Sequence, residues 1–203
     1  MIQVAYDNAL IAVKLRRWEK YLNEYKLPVW ESIPNFGLYM EQVIVLLKEY
    51  LDYLPPELKE EQFITAATIN NYVRRELMPE PIKKKYYRIH IAYLIMICSL
   101  KQSLSISTLQ AMIPMGIPEE EVRETYNAYV KQHQITAKYF IEQVRLVAAG
   151  ILNHEPEVEI ATGKTCELIT TAAVVSGLAR LLAEKLLLLN DRTLEDGGNI
   201  EIK

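Results

Sequence analysis

An all-helical fold with one short, basic, proline-bounded segment near its middle is what this sequence predicts, and three observations predict it. Apolar residues recur at three- and four-residue steps over several long stretches, the spacing of one face of a helix. Only seven glycines occur among 203 residues, too few for the many turns of a β-sandwich. Prolines fall between the apolar stripes rather than inside them, which marks the ends of elements.

The first stripe is Ile11, Leu15, Trp18, Leu22 and Tyr25, and it predicts a helix over about 3–25. Pro28 and Pro34 bracket a loop around Trp30. A second helix is expected over about 36–53, with Tyr39, Val43, Leu46, Leu47, Tyr50 and Leu54 on one side, stopped by Pro55 and Pro56. The acidic stretch 57–62 reads as a solvated connector or short turn. Thr65 is a good N-cap for a helix over about 66–76. Pro79, Pro81 and the run Lys83-Lys84-Lys85 cannot continue that helix, so 77–87 is a loop or a short β-ribbon. Helix resumes over about 88–102, and Ser105 or Ser107 caps a short helix ending near Ile113. Beyond Pro118, Val122, Tyr126, Tyr129, His133, Ala137, Phe140 and Val144 keep the helical period to about Ala149. The polar stretch 153–163 is a loop. The final helix, about 164–190, is apolar on nearly all sides and so is expected to be packed on nearly all sides. The tail from Asp191 is expected to fray.

Half of the residues are hydrophobic and 24% are charged, a globular balance that excludes general disorder. The length suits one generous domain or a small domain with a helical extension. Cys98 and Cys166 lie far apart in apolar runs, as small core residues of a reducing compartment would. The N-terminal residues show no basic leader, and the apolar stretch 168–189 is interrupted by Arg180, Glu184 and Lys185. A cytoplasmic protein with no membrane span is therefore expected.

The net charge of −3 argues mildly against nucleic acid, but the charge is unevenly spread. Residues 64–101 hold seven bases (Arg74, Arg75, Lys83, Lys84, Lys85, Arg88, Lys101) and two acids, while the remainder holds 16 bases and 24 acids. Fields are screened beyond about 8–10 Å, so a local basic island on an acidic body can still face phosphate. Asn70, Asn71 and Arg74 lie within about one helical turn and can project from one side. Asparagine suits the adenine edge and arginine the guanine edge in a major groove. Lys83, Lys84, Lys85, Arg88 and Tyr86 would grip the backbone, with Arg75 beside them, giving affinity without sequence information. Thr68 offers a hydroxyl to phosphate or simply favours the helix start. The same residues also suit a bland reading, since a lysine run is often a solvated loop.

The stretch from Thr68 to Ile113 resembles the MerR-type winged helix-turn-helix. Thr68-Ile69-Asn70-Asn71-Tyr72 takes the place of the recognition helix, Leu77-Met78-Pro79 the turn and Lys83-Lys84-Lys85-Tyr86 the wing, with Leu94, Ile97 and Leu100-Lys101 on the next helix and Leu104-Ser105-Ile106 with Leu109 on the last. The wording is closer still to an uncharacterised bacterial family, domain of unknown function 1836. The chain is similar to it in Leu38-Tyr39-Met40-Glu41-Gln42-Val43, in Ile69-Asn70-Asn71-Tyr72-Val73, in the Lys-Lys-Tyr wing and in the segment 100–106. The resemblance implies an all-α fold with a MerR-like head and transcriptional regulation. It divides the chain into an N-terminal helix (1–30), the head (31–115) and a C-terminal helical region for dimerisation or sensing (116–203). Three departures stand out: the MerR pattern has arginine where Asn70 stands and glycine where Glu76 stands, and the wing here is shortened and lacks its tip glycine, with Pro79 and Pro81 setting its shape. Glycine eases a left-handed turn, and Glu76 lacks that freedom.

Other patterns do not assemble a site. Gly163-Lys164-Thr165 lacks the glycine of a phosphate loop, because position 158 is valine. His154-Glu155 lacks a second histidine, and Ser176-Gly177 is not a nucleophile elbow, with Val174 where glycine belongs. His133 falls on an apolar stripe as a packed histidine, His90 lies next to the wing, and no paired carboxylates share a context. No catalytic residue, metal or cofactor is expected, and so no enzyme. The sequence points to a DNA-binding regulator working as a homodimer on double-stranded DNA, with an effector it does not identify. The alternative is a helical interaction or ligand-sensing protein that keeps the head without using DNA.

Overall fold

The computed structural model describes residues 7–52, 64–152 and 165–187, together with 189 and 193. Among these residues it is an assembly of helices: α1 (Asn8–Glu24), a single 3-10 turn (Trp30–Ser32), α2 (Met40–Tyr50), α3 (Ala66–Arg74), α4 (Arg88–Leu100), α5 (Ile106–Met112), α6 (Glu119–Val147), α7 (Ala149–Leu152) and α8 (Thr165–Leu187). Extended pairing among the described residues is confined to two isolated antiparallel bridges, Leu38 with Tyr86 and Ile82 with Lys85.

The core is organised around α4. Every residue from His90 to Leu100 is buried, as a helix apolar on all sides requires. It packs against α2 on one flank and against α6 and α8 on the other. The long α6 pairs with α8 and also carries α1 and α7. Trp18 of α1 meets Phe140 of α6 edge-on, with ring centroids 5.7 Å apart, and Arg145 joins Glu19 of α1 to Glu142 of α6. The expected stripe Ile11, Leu15, Trp18 and Leu22 is buried.

Caps set several of the boundaries. The Asp7 carboxylate accepts from the Ala9 and Leu10 amides at 2.8 and 3.3 Å, Thr65 Oγ1 from Thr68 at 3.1 Å and Ser105 Oγ from Thr108 at 3.2 Å. These are the orphan amides of a first turn. The three glutamates 119–121 fall in the first turn of α6, where the helix dipole favours them.

Several expectations need correction. The second helix begins at Met40 rather than near Phe36, because Leu38 exchanges both backbone hydrogen bonds with Tyr86 at 2.8 Å. The final helix is not enclosed on nearly all sides: Ile169, Ala172, Ser176, Ala179 and Arg180 are exposed. Full enclosure belongs to α4 instead. Carboxylates do share a context, since Glu19 and Glu142 meet on Arg145. The stretches 57–62 and 153–163, with His154, Gly163 and Lys164, and the tail from Asp191 apart from Thr193, lie outside the described residues, as does the side chain of Cys166. Cys98 is buried against Tyr72. No helix among the described residues is long and apolar enough to cross a membrane.

His133 is buried between the rings of Tyr25 and Tyr129. Desolvation lowers its pKa to about 4. In the unfolded chain it titrates near its ordinary value, about 6.5. Above that pH both states are neutral; below it the unfolded state takes a proton that the folded state refuses. Stability is therefore expected to fall by about 3 kcal/mol as pH drops from 7 to 4 on this group alone. Urea unfolding across that range, compared with His133→Phe, checks it: the variant should lose that part of the slope.

Candidate nucleic-acid interface

Helix α3 is two-faced. Ile69 and Tyr72 are buried, while Ala66, Ala67, Asn70 and Arg74 are exposed, as steps of 100° per residue dictate. Asn70 is free to face solvent. Asn71 is partly covered, and its Oδ1 accepts from Arg74 Nη2 at 2.8 Å and from Arg75 Nε at 3.3 Å, so one amide holds two guanidinium groups in place. The half-buried Thr68 shares a hydroxyl hydrogen bond with Thr65 at 2.8 Å. Lys101, from the end of α4, sits 5.5 Å from the centre of the Tyr72 ring.

The end of α3 resolves the question posed by Glu76. Its φ is +54°, in the left-handed region. The Glu76 amide donates to Val73 at 2.9 Å and the Leu77 amide to Tyr72 at 3.0 Å, the paired bonds of a Schellman motif. The turn therefore forms with glutamate where glycine is the usual residue. Gln110 of α5 closes the end by donating to the Arg75 carbonyl at 2.6 Å.

Residues 82–85 form a two-residue hairpin. Ile82 and Lys85 exchange both backbone hydrogen bonds at 3.0 Å, and the two residues between them, Lys83 and Lys84, have φ of +51° and +63°. Positive φ at both central positions is the signature of a type I′ turn, normally occupied by asparagine, aspartate and glycine. Both lysines are exposed at the tip. Lys85 is half-buried, its ammonium 5.4 Å from the Tyr39 ring.

The base of the hairpin is anchored in the core. Tyr86 is buried, paired by its backbone to Leu38 and edge-on to His90. His90 Nδ1 accepts from the Tyr87 amide at 3.0 Å, which leaves the ring proton on Nε2 to donate to the Glu80 carbonyl at 2.9 Å. One imidazole thus caps α4 and ties down the approach to the hairpin. Arg88 turns inward: its Nε donates to the Ile33 carbonyl at 2.8 Å, its Nη2 to that of Glu31 at 3.4 Å, and its guanidinium carbon lies 5.9 Å from the Trp30 ring. Glu31 in turn pairs with Arg123 of α6 at 2.6 Å. Its own backbone hydrogen bond, then Arg123, lowers the Glu31 pKa.

Among the predicted site residues, the structure brings Asn71, Arg74 and Arg75 together at the end of α3 and Lys83, Lys84 and Lys85 into one hairpin. Tyr86 and Arg88 are placed against the protein's own interior. Among the described residues, ion pairs use Lys20, Arg123 and Arg145. None of the seven cations of 64–101 takes part in one. No cluster of metal-binding side chains occurs among the described residues. Sequence reasoning missed Gly37 and Gln110, whose partners are distant in the chain, and the capping role of His90, which is local to Tyr87.

What the fold and this region define is an all-helical protein whose central helix carries a cationic hairpin immediately after a two-faced polar helix. The chain belongs to the family described as Domain of unknown function (DUF1836), whose model matches residues 28–134. That span includes every residue of the candidate interface and ends within α6. No curated protein and no solved structure matches the chain.

Gly37 sets how closely the segment before α2 approaches the hairpin. A Cβ there would lie 2.8 Å from Lys85 Cδ, 2.9 Å from Lys85 Cβ and 3.0 Å from Tyr87 Cζ. Gly37→Ala is expected to cost about 1–3 kcal/mol, the usual penalty of overpacking. Denaturant melts of the two chains measure it, and an alanine variant as stable as its parent would contradict the packing described.

Proposed function

We propose that this protein is a DNA-binding transcriptional regulator of MerR-like winged helix-turn-helix type, with α3 in the major groove and the 82–85 hairpin on the phosphates. The observation that carries the reading is the turn Lys83-Lys84. A left-handed L-residue costs about 1–2 kcal/mol relative to its right-handed form, and glycine or asparagine at either position would relieve much of it. Both positions instead hold exposed lysines with no acid to pair with among the described residues. Strain kept at a solvent-facing tip is a pointer to function, and two adjacent ammonium groups suit a phosphate backbone.

The reading draws support from the order α3, hairpin, α4, α5. Asn70 and Arg74 face outward as base-reading residues must. Arg74 and Arg75, steadied by Asn71, add to base or phosphate contact, and Tyr86 and Arg88 position the hairpin from within. The reading carries with it a cytoplasmic homodimer, since readers of this kind pair across a two-fold axis to match two half-sites.

The double variant Lys83→Asn/Lys84→Gly separates fold from function. It is expected to raise the unfolding free energy by about 1–2 kcal/mol, because it installs the preferred turn residues. It should weaken duplex binding at least about tenfold and reduce the salt slope by about 2, for two lost phosphate contacts. Fluorescence anisotropy on labelled genomic duplexes at several salt concentrations reads both numbers. Unchanged binding by a stabler protein would remove the hairpin from the interface. Asn70→Ala should instead leave the salt slope alone and lower discrimination at one adenine by about 1–3 kcal/mol, measured on single-base operator variants.

A second reading is favoured by exposed apolar side chains on the hairpin and on the segment that contacts it. Phe36, Tyr39 and Ile82 are all more than half exposed. Such a patch suits a protein-interaction or ligand-sensing module that keeps the head without binding DNA. Recovery of a partner from nuclease-treated extract, lost in Phe36→Ser/Ile82→Ser, would favour that reading.

A further inference from the structure

The junction of α4, α5 and α6 holds an open cleft of about 530 Å³, within the size range of small-molecule sites. Met96 and Leu100 of α4 and Tyr129 of α6 are buried along it, and Met112 and Ile135 line it nearer solvent. Two methionines make such a surface adaptable, since the thioether side chain fills irregular space without a fixed shape. The polar lining is sparse and one-sided in charge. Among the described residues, Lys131 is the only charged one in the lining, and no carboxylate is among them. Thr125, Thr170 and Gln132 complete it, and Gln132 already donates one amide proton to Thr171 at 2.6 Å. Among the described lining residues a cation would find no counter-charge, whereas an anion would find the Lys131 ammonium group and the hydroxyls of Thr125 and Thr170.

We propose that this cleft binds an aliphatic monocarboxylate of medium chain length, its chain along Met96, Leu100 and Met112 and its carboxylate at Lys131. The assignment does not rest on the DNA-binding reading. It does bear on regulation, because the cleft presses on α4, which carries the hairpin at its other end.

The test uses the full chain and dodecanoate below its micelle concentration, followed by calorimetry and by thermal melting. One-to-one saturable binding that raises the melting temperature is expected, with dodecylammonium at least about tenfold weaker, since only the anion gains a charge-assisted contact. Lys131→Glu should invert that preference. Ala128→Trp, at an exposed lining position that leaves the core untouched, should fill the cleft and lower dodecanoate affinity at least about tenfold. Absence of saturable binding, equal affinity for the two amphiphiles, or affinity unmoved by both variants would overturn the proposal. So would a change of mass by light scattering in Ala128→Trp without dodecanoate binding, which would make the cleft a seam between copies. Duplex binding is then measured with and without dodecanoate; a null effect there would leave the site standing and detach it from the DNA-binding reading.

Discussion

The enclosure of α4 is the constraint on which the rest of the structure depends. A helix reading Ile91-Ala92-Tyr93-Leu94-Ile95-Met96-Ile97-Cys98 has no face to offer water, and each large apolar side chain buried contributes about 1.5–3 kcal/mol. That demand is met by α2 on one side and by α6 and α8 on the other. Tyr72 reaches in from α3 to Cys98, and the desolvation it suffers pushes its phenol up. The hairpin hangs from the N-terminal end of this enclosed helix through His90, Tyr86 and Arg88. Its geometry is therefore inherited from the core rather than from the hairpin's own weak pairing, which two isolated bridges could not sustain alone.

That support makes the backbone strain tolerable. Glu76, Lys83 and Lys84 are the non-glycine residues with positive φ among those described, and all three fall between the end of α3 and the start of α4. Each is flanked by anchors: Gln110 on Arg75 before Glu76, Leu77 and Met78 buried after it, and Tyr86 and His90 beyond the lysines. A segment this strained persists only where its surroundings over-determine it. The anchors therefore explain how the lysines can occupy the turn. They do not explain why both positions hold lysine.

Much of the helical framework was legible because it is written in local periodicity. The stripe from Ile11 to Leu22, the N-caps at Thr65 and Ser105, and the long run from Val122 to Val144 all carry their signal within a few residues. What escaped depends on distant partners. Leu38 looked helical until Tyr86, far along the chain, claimed its backbone. Arg88 reads as one more cation of a basic run, yet Trp30 and the Ile33 carbonyl turn it inward. Glu19 and Arg145 are separated by 126 positions, which no spacing rule can join. The sequence does separate α4 from α8: no charged residue falls between Ile91 and Leu100, whereas α8 carries Glu167, Arg180, Glu184 and Lys185.

The distribution of charge follows from the same packing. Where α6 meets the 3-10 turn and α1, Arg123 is matched by Glu31 and Glu120, and Arg145 by Glu19 and Glu142. These cations are spent within the body. Of the cations between α3 and the end of α4, Arg88 is turned inward, while Arg74, Arg75, Lys83 and Lys84 are exposed and take part in no ion pair among the described residues, and the rest of the chain is net negative. With screening over about 8–10 Å, that local excess of positive charge persists near Arg74, Arg75, Lys83 and Lys84 whatever the net charge of the whole chain.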